Sequence, residues 1–241
     1  MTRLTSDKGP WKMLEIGHPA FKATHNFTPD VVGFREDFGV RTVLAISGGA
    51  DDASQANTER LIETILVPLQ NRHLNPKGRS PFAILSGGTP WGVPQIVTQT
   101  AKKMGFTTIG VFPLIAKKDG RMVPMLPLLD LSVCVHPFVG ESQWGDESPI
   151  YAKMLDNVIV IGGNAGTATE LGHILKINEK AKVLKHVIPI SGTGGAADTL
   201  SSFPGKPSVM AACIPHRPIT TGNGVYAYLR CVLPQEVFNP T

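Results

Sequence analysis

Val158-Ile159-Val160-Ile161-Gly162-Gly163-Asn164-Ala165-Gly166-Thr167-Ala168-Thr169-Glu170 decides how this chain folds. Four β-branched residues in a row read as a buried strand, and the glycines after them as a tight turn. Glu170-Leu171-Gly172-His173-Ile174-Leu175 then carries a helical pattern. A strand, a glycine turn and a helix start together make an anion site. The glycines let the backbone come close, and the unpaired N–H groups of the first helical turn point at a phosphate.

The same logic recurs on both sides of this segment. Arg41–Ser47 reads as a buried strand ending in Gly48-Gly49, after which Asp51 or Asp52 caps a helix whose apolar face is Leu61, Ile62, Ile65, Leu66 and Leu69. Phe82–Leu85 is a strand and Ser86-Gly87-Gly88 its turn, with Thr89 as helix cap and Pro90 as first helical residue, the helix ending at Gly105. Thr107–Phe112 and Leu131–Val135 are further strands. The loop Val139–Ser148 leads into a helix over about 149–155, and Val187–Ile190 enters the turn Ser191–Asp198. A late strand is expected over Val225–Val232. Residues 113–130 and 203–224 show no clear pattern, and residues 1–40 read as an irregular arm before a single domain at 41–241.

Strands separated by helices imply parallel βαβ units. All the glycine turns then fall at strand carboxyl ends and gather on one edge of the sheet, where open α/β folds bind ligands.

Composition limits the function classes. The chain has 241 residues, 42% of them hydrophobic and 17% charged, enough for a sizeable core and against disorder. Its net charge of +4 is spread out, with only short pairs at Lys102-Lys103 and Lys117-Lys118, which reads as a solvated surface and no nucleic-acid partner. Three distant cysteines, no signal-peptide pattern and no long apolar run read as a reduced, cytoplasmic setting without membrane association. No GxxxxGK[ST] and no G-x-S-x-G is present, and the seven histidines lack metal-ligand spacing. Gly192-Thr193-Gly194-Gly195-Ala196-Ala197 fits a dinucleotide turn, G-x-G-x-x-A, but no acidic residue follows at the expected distance, so it reads as another wall of the same cleft.

Four motifs together resemble the SLOG superfamily, whose members include the LONELY GUY phosphoribohydrolases, and within it the LSDAT branch found in TRPM channels and prokaryotic proteins. These are Gly48-Gly49-Ala50-Asp51, Gly87-Gly88-Thr89 with Gly92-Val93, Trp144-Gly145-Asp146-Glu147-Ser148, and Gly192–Asp198. The LONELY GUY pattern P-G-G-x-G-T-x-x-E falls without a gap on Gly162–Glu170, with Gly162 for proline and Asn164 for the second glycine, and Asp156 matches an acidic residue before the strand. The resemblance implies a Rossmann-like α/β fold: a mostly parallel sheet of about six to seven strands with helices on both faces. It also puts Glu170 at the family's catalytic glutamate and Glu147-Ser148 where an arginine–lysine pair contacts substrate. A glutamate in place of that arginine reverses the charge beside a phosphate and argues for binding over turnover.

The expected ligand is nucleotide-derived: NAD, ADP-ribose or a cyclic ADP-ribose relative. No other cofactor and no metal is expected. Its cleft would take Gly48, Gly49 and Asp51 from the first turn and Gly87, Gly88, Thr89 and Gly92 from the second. Trp144 and Glu147 would come from the loop, Gly162, Gly163, Asn164, Gly166 and Thr167 from the opening segment, and Gly192, Thr193 and Gly194 from the last turn. Glu170 has two readings: an acid in N-glycosidic cleavage, or half of a capping box with Thr167. Lys153 and Arg121 are the candidates for a replacement phosphate cation. A third reading is an interaction module whose 1–40 arm mediates assembly into a homo-oligomer, a dimer first.

Overall fold

The strands sort their side chains by parity, and that sorting builds the molecule. In β2 (Thr42–Gly48), Val43 and Ala45 face one way and Leu44 and Ile46 the other, all four fully buried. In β3 (Phe82–Ser86), Ala83 and Leu85 join the first set and Phe82 and Ile84 the second; in β6 (Asn157–Ile161) the pairs are Val158 with Val160 and Ile159 with Ile161. A strand apolar on both faces needs helices on both, as parallel sheets require. The computed structural model describes residues 13–16, 28–49, 55–71 and 80–238.

Four further strands complete the sheet: β1 (Met13–Ile16), β4 (Thr107–Pro113), β5 (Leu131–Val135) and β7 (His186–Pro189). The order is β1-β5-β4-β3-β2-β6-β7 and every pairing is parallel. The chain steps outward from β2 through β3, β4 and β5, then returns to the other side of β2 with β6. The strand order therefore reverses beside β2, the place where such sheets bind ligands.

One face is covered by α1 (Thr28–Phe38), α5 (Ser148–Met154), α6 (Ala165–Asn178) and α7 (Gly195–Thr199), through Phe34, Ile150, Tyr151, Leu171, Ile174, Ala196 and Ala197. The other is covered by α2 (Gln55–Asn71), α3 (Gly92–Lys103), α9 (Gly222–Val232) and α10 (Gln235–Phe238). On α2 the residues Ile62, Ile65, Leu66 and Leu69 are fully buried at helical spacing, each worth about 1.5–3 kcal/mol of burial. Asp156 lies at the opposite edge of the sheet from the glycine turns. It accepts from Val43 N–H at 2.8 Å and pairs with Arg35 at 2.9 Å, tying α1 to β2 and β6.

The α/β, Rossmann-like architecture is as the sequence implies, and four local expectations change. The stretch 1–40 holds β1, the edge strand paired to β5, and α1. Val225–Val232 is the helix α9, not a strand: its buried residues Gly222, Val225 and Leu229 recur at helical intervals, and a Cβ on Gly222 would lie 2.3 Å from the Thr64 backbone of α2. The segment 113–130 contains α4 (Leu114–Lys118) and a short 3₁₀ turn at Leu126–Leu128, which with Phe112, Met122 and Met125 form a third apolar cluster; 203–224 contains α8 (Pro207–Cys213). Finally, α3 starts after Trp91 instead of at Thr89-Pro90. Among the described residues, no helix is long and apolar enough to cross a membrane.

Candidate functional site

The carboxyl ends of β2, β3 and β6 open onto one cleft of about 340 Å³, within the usual range for a small-molecule site. Ser47 and Gly48 come from β2, Gly87 and Thr89 from the β3 turn, and Trp144, Gly145, Glu147 and Ser148 from the loop before α5. Asn164, Ala165, Gly166, Thr167, Thr169 and Glu170 come from the start of α6. Of the expected site residues, the structure brings together Gly48, Gly87, Thr89, Trp144, Glu147, Asn164, Gly166, Thr167 and Glu170. Asp51 lies outside the described residues. Ser47, Pro94, Gly145, Ser148, Ala165 and Thr169 line the cleft without having been expected; the signal for Ser47 was a polar residue closing an otherwise apolar strand.

The opening segment builds its wall through Asn164, the residue standing where the resemblance called for a glycine. Its side chain accepts from Gly166 N–H at 3.2 Å and caps α6, while its carbonyl accepts from Ala168 N–H. Ala165 and Thr167 lie in the same first turn, where N–H groups have no intrahelical acceptor. The capping box of Thr167 with Glu170 is corrected by this geometry. The helix begins at Ala165, so Glu170 sits in its second turn and accepts from Ser47 Oγ instead.

Gly192, Thr193 and Gly194 stand behind the cleft wall, not on it. Thr193 Oγ1 accepts from Gly162 N–H at 2.8 Å and donates to Ile190 O at 2.7 Å. Ala196 and Ala197 N–H donate to Gly163 O and Gly162 O, both at 2.9 Å. Asp198 accepts from the N–H groups of Gly192 and Gly194, at 2.7 and 2.8 Å, so those amides are already engaged. A Cβ on Gly195 would meet Gly163 O at 2.0 Å, so the two glycine turns lock backbone to backbone. Gly162 and Gly163 belong to this lock. Gly49 O accepts from Val93 N–H, Gly92 starts α3, and Gly88 packs against Phe112 and Met122; none of the three lines the cleft.

Among the described residues, two carboxyl groups face the cleft. Burial pushes the Glu170 carboxyl up to about 8; the Ser47 hydroxyl opposes that rise and the nearby Glu147 adds to it. Protein surrounds the Glu170 carboxyl group, while the residue as a whole is only half-buried and lines the open cleft. Burial also raises Glu147, opposed by its own N–H and by Gly145 N–H, which donates to it at 2.9 Å. Burial raises the hydroxyl of Tyr151 well above its ordinary value, the charge of Glu170 adds to that rise, and the Ser47 hydroxyl opposes it. At neutral pH Glu170 is a neutral acid, able to donate a proton or a hydrogen bond into the cleft.

Among the described residues, the lining contains no lysine, arginine or histidine. Arg121, from the segment after α4, stands against the cleft's aromatic edge: its guanidinium carbon is 5.8 Å from the Trp91 ring centre and 5.9 Å from that of Trp144. Lys153 is exposed on α5 and does not line the cleft.

Comparison with known proteins agrees with this architecture. The family model described as SLOG cluster4 matches residues 78–202, which span the second turn, the loop and the last two turns. The structural-genomics target TM1055 superposes with a TM-score of 0.55 at 22% identity, over 79% of this chain and 99% of that one. A molybdenum cofactor carrier protein from Chlamydomonas reinhardtii gives 0.54 at 19% identity, over 79% and 97%. No curated protein matches the chain. DNA processing protein A from Streptococcus pneumoniae gives 0.48 at 16% identity, over 77% and 61%, and its counterpart from Helicobacter pylori, described by its single-stranded DNA binding mode, 0.45 at 16%, over 74% and 81%. Beside that description, the expectation of no nucleic-acid partner does not stand.

Proposed function

The chain belongs to the SLOG cluster4 family, and we propose that it binds a phosphorylated, ring-bearing small ligand of the nucleotide class, with NAD, ADP-ribose and cyclic ADP-ribose relatives first among them. The observation that carries this reading is the meeting, across one cleft, of the first turn of α6 with Trp144. A helix start offers unpaired N–H groups and a positive dipole end to a phosphate. Trp144, 41% exposed, offers a face on which a planar ring stacks. Glu147 and Glu170 offer hydroxyl-binding groups between them. The algal neighbour is named for molybdenum cofactor, itself a phosphorylated ring compound, so that cargo belongs in the same test. Three unpaired cysteines are in keeping with a reducing compartment.

Native mass spectrometry of the protein as purified, followed by thermal shifts with NAD, ADP-ribose and AMP, tests the reading. A retained phosphorylated ligand, or stabilisation by one of the three, supports it through ordinary linkage. The absence of both a mass increment and a shift rejects it.

One observation favours a second reading, N-glycosidic cleavage. Glu170 is protonated at neutral pH and faces the cleft, where it could hand a proton to a departing base while water adds to the ribose carbon. That reading requires release of free base from AMP or NAD, and its loss in Glu170→Gln.

A further inference from the structure

Among the described residues, a cleft meant for an anion holds two carboxyl groups and no cation on its walls. Charge therefore has to be met at the rim, and the rim has one construction suited to it. Trp91 and Trp144 lie 6.2 Å apart between ring centres, with Arg121 placed almost equally against both. The guanidinium stands within cation–π reach of both rings, and such contacts spend none of its N–H groups, which are left for a further partner. Among the described residues its one ionic contact, to Asp119, is long at 3.7 Å and lies between groups that are 49% and 42% exposed, so it is weak. Trp144 also lines the cleft, which sets the guanidinium beside the cleft mouth.

We propose that Arg121 is the phosphate-selecting residue of the cleft, held at its mouth by the indoles of Trp91 and Trp144. The ligand it selects carries a phosphate beside a planar ring and turns an uncharged, hydroxyl-bearing end toward Glu147 and Glu170. This rests on the binding function proposed above and fixes the ligand's direction within the site. The phosphate lies between Arg121 and the first turn of α6, and the ring lies on Trp144. Deep placement of the phosphate is disfavoured because it would face Glu147 and raise the cost of two buried carboxyls. A nucleotide and a pterin phosphate share this chemistry, and the test separates them.

Calorimetric titration with AMP against adenosine, and with a pterin monophosphate against its alcohol, reads the phosphate preference directly. The wild type is expected to bind one phosphorylated member about tenfold or more tighter than its partner, the size of one charge-assisted phosphate contact. Arg121→Gln should collapse that ratio to about twofold while the unphosphorylated member binds as before, Arg121→Lys should restore part of it, and Lys153→Ala should leave it intact. Trp144→Ala should weaken both members of the pair, the phosphorylated one more, because the indole also holds Arg121. A ratio unchanged in Arg121→Gln overturns the role of Arg121 and leaves the binding function standing. If no member of either pair binds the wild type, the binding function itself fails and this inference with it. Unchanged melting of Arg121→Gln, whose side chain is exposed, certifies that the variant is folded.

Discussion

Ser47, near the end of β2, donates its hydroxyl to Glu170 in the second turn of α6, joining two elements 123 residues apart at the floor of the cleft. The pair forms because β6 lies beside β2 and sends α6 back over the point where the strand order reverses. Its consequence is chemical. A carboxyl group held in protein mass, with one hydroxyl donor and a second carboxyl nearby, keeps its proton to about pH 8.

Stability should therefore fall as pH rises. Glu170 carries its proton in the folded state well above 4.5, its ordinary value, so between about 4.5 and 8 the folded state binds more protons than the unfolded one. The contribution of the neutral acid is complete below that window and lost as pH passes through about 8. Glu170→Gln should melt like the wild type near pH 5 and higher than it at pH 8–9, where one kcal/mol is worth about 2–4 °C in a domain of this size. Thermal scans at both pH values check this; parallel curves would count against a buried neutral acid.

Removing the hydroxyl should act in the opposite direction. Ser47→Ala leaves the Glu170 carboxyl without its donor, so its pKa should climb further and stability at pH 7 should drop by about 1–2 kcal/mol. Urea denaturation of the two proteins reads the difference.

The lock between the two glycine turns predicts a contrast within one region. Gly195→Ala puts a methyl group 2.0 Å from Gly163 O at a φ of +53°, and should cost roughly 3 kcal/mol or more. Gly172→Ala, inside α6 with nothing within 4 Å, should stabilise by about 0.5–1 kcal/mol. Chemical denaturation of both variants decides whether the last turn is a buttress.

Asn164 should matter to the helix before it matters to any ligand. Asn164→Ala removes the cap on Gly166 N–H and should cost about 1 kcal/mol, while Asn164→Asp keeps the cap and the stability. Equilibrium unfolding without ligand checks both.

Much of this was legible in the sequence because buried parallel strands are written as unbroken β-branched runs. Val158–Ile161 and Leu131–Val135 left little choice, and glycines after the strands marked the edge that carries the cleft. What escaped reading has physical causes. Met13–Ile16 is too short to show a pattern and is a strand only because β5 offers it an edge. Val225, Tyr226, Tyr228 and Val232 have strand propensity, and packing on α2 through Gly222 overrides it. Thr167 and Glu170 have capping-box spacing, but the box needs a helix starting at Thr167, and Asn164 starts it sooner. Asp198 and the Gly192–Gly194 amides spend on one another the groups that sequence assigned to a ligand, a pairing no spacing rule reveals.

The central claim is that the first turn of α6 receives the ligand's phosphate, and Gly166→Asp tests it most directly. A Cβ at Gly166 meets only Asn164 Oδ1, at 3.7 Å, and an acidic residue at a helix start is stabilising, so the fold should survive. Thermal shift of the wild type and of Gly166→Asp should be measured with AMP, NAD, ADP-ribose and molybdenum cofactor. The account predicts that at least one of them raises the melting temperature of the wild type and that the same ligand leaves Gly166→Asp unmoved. Equal shifts in both proteins, or none in the wild type, would contradict it.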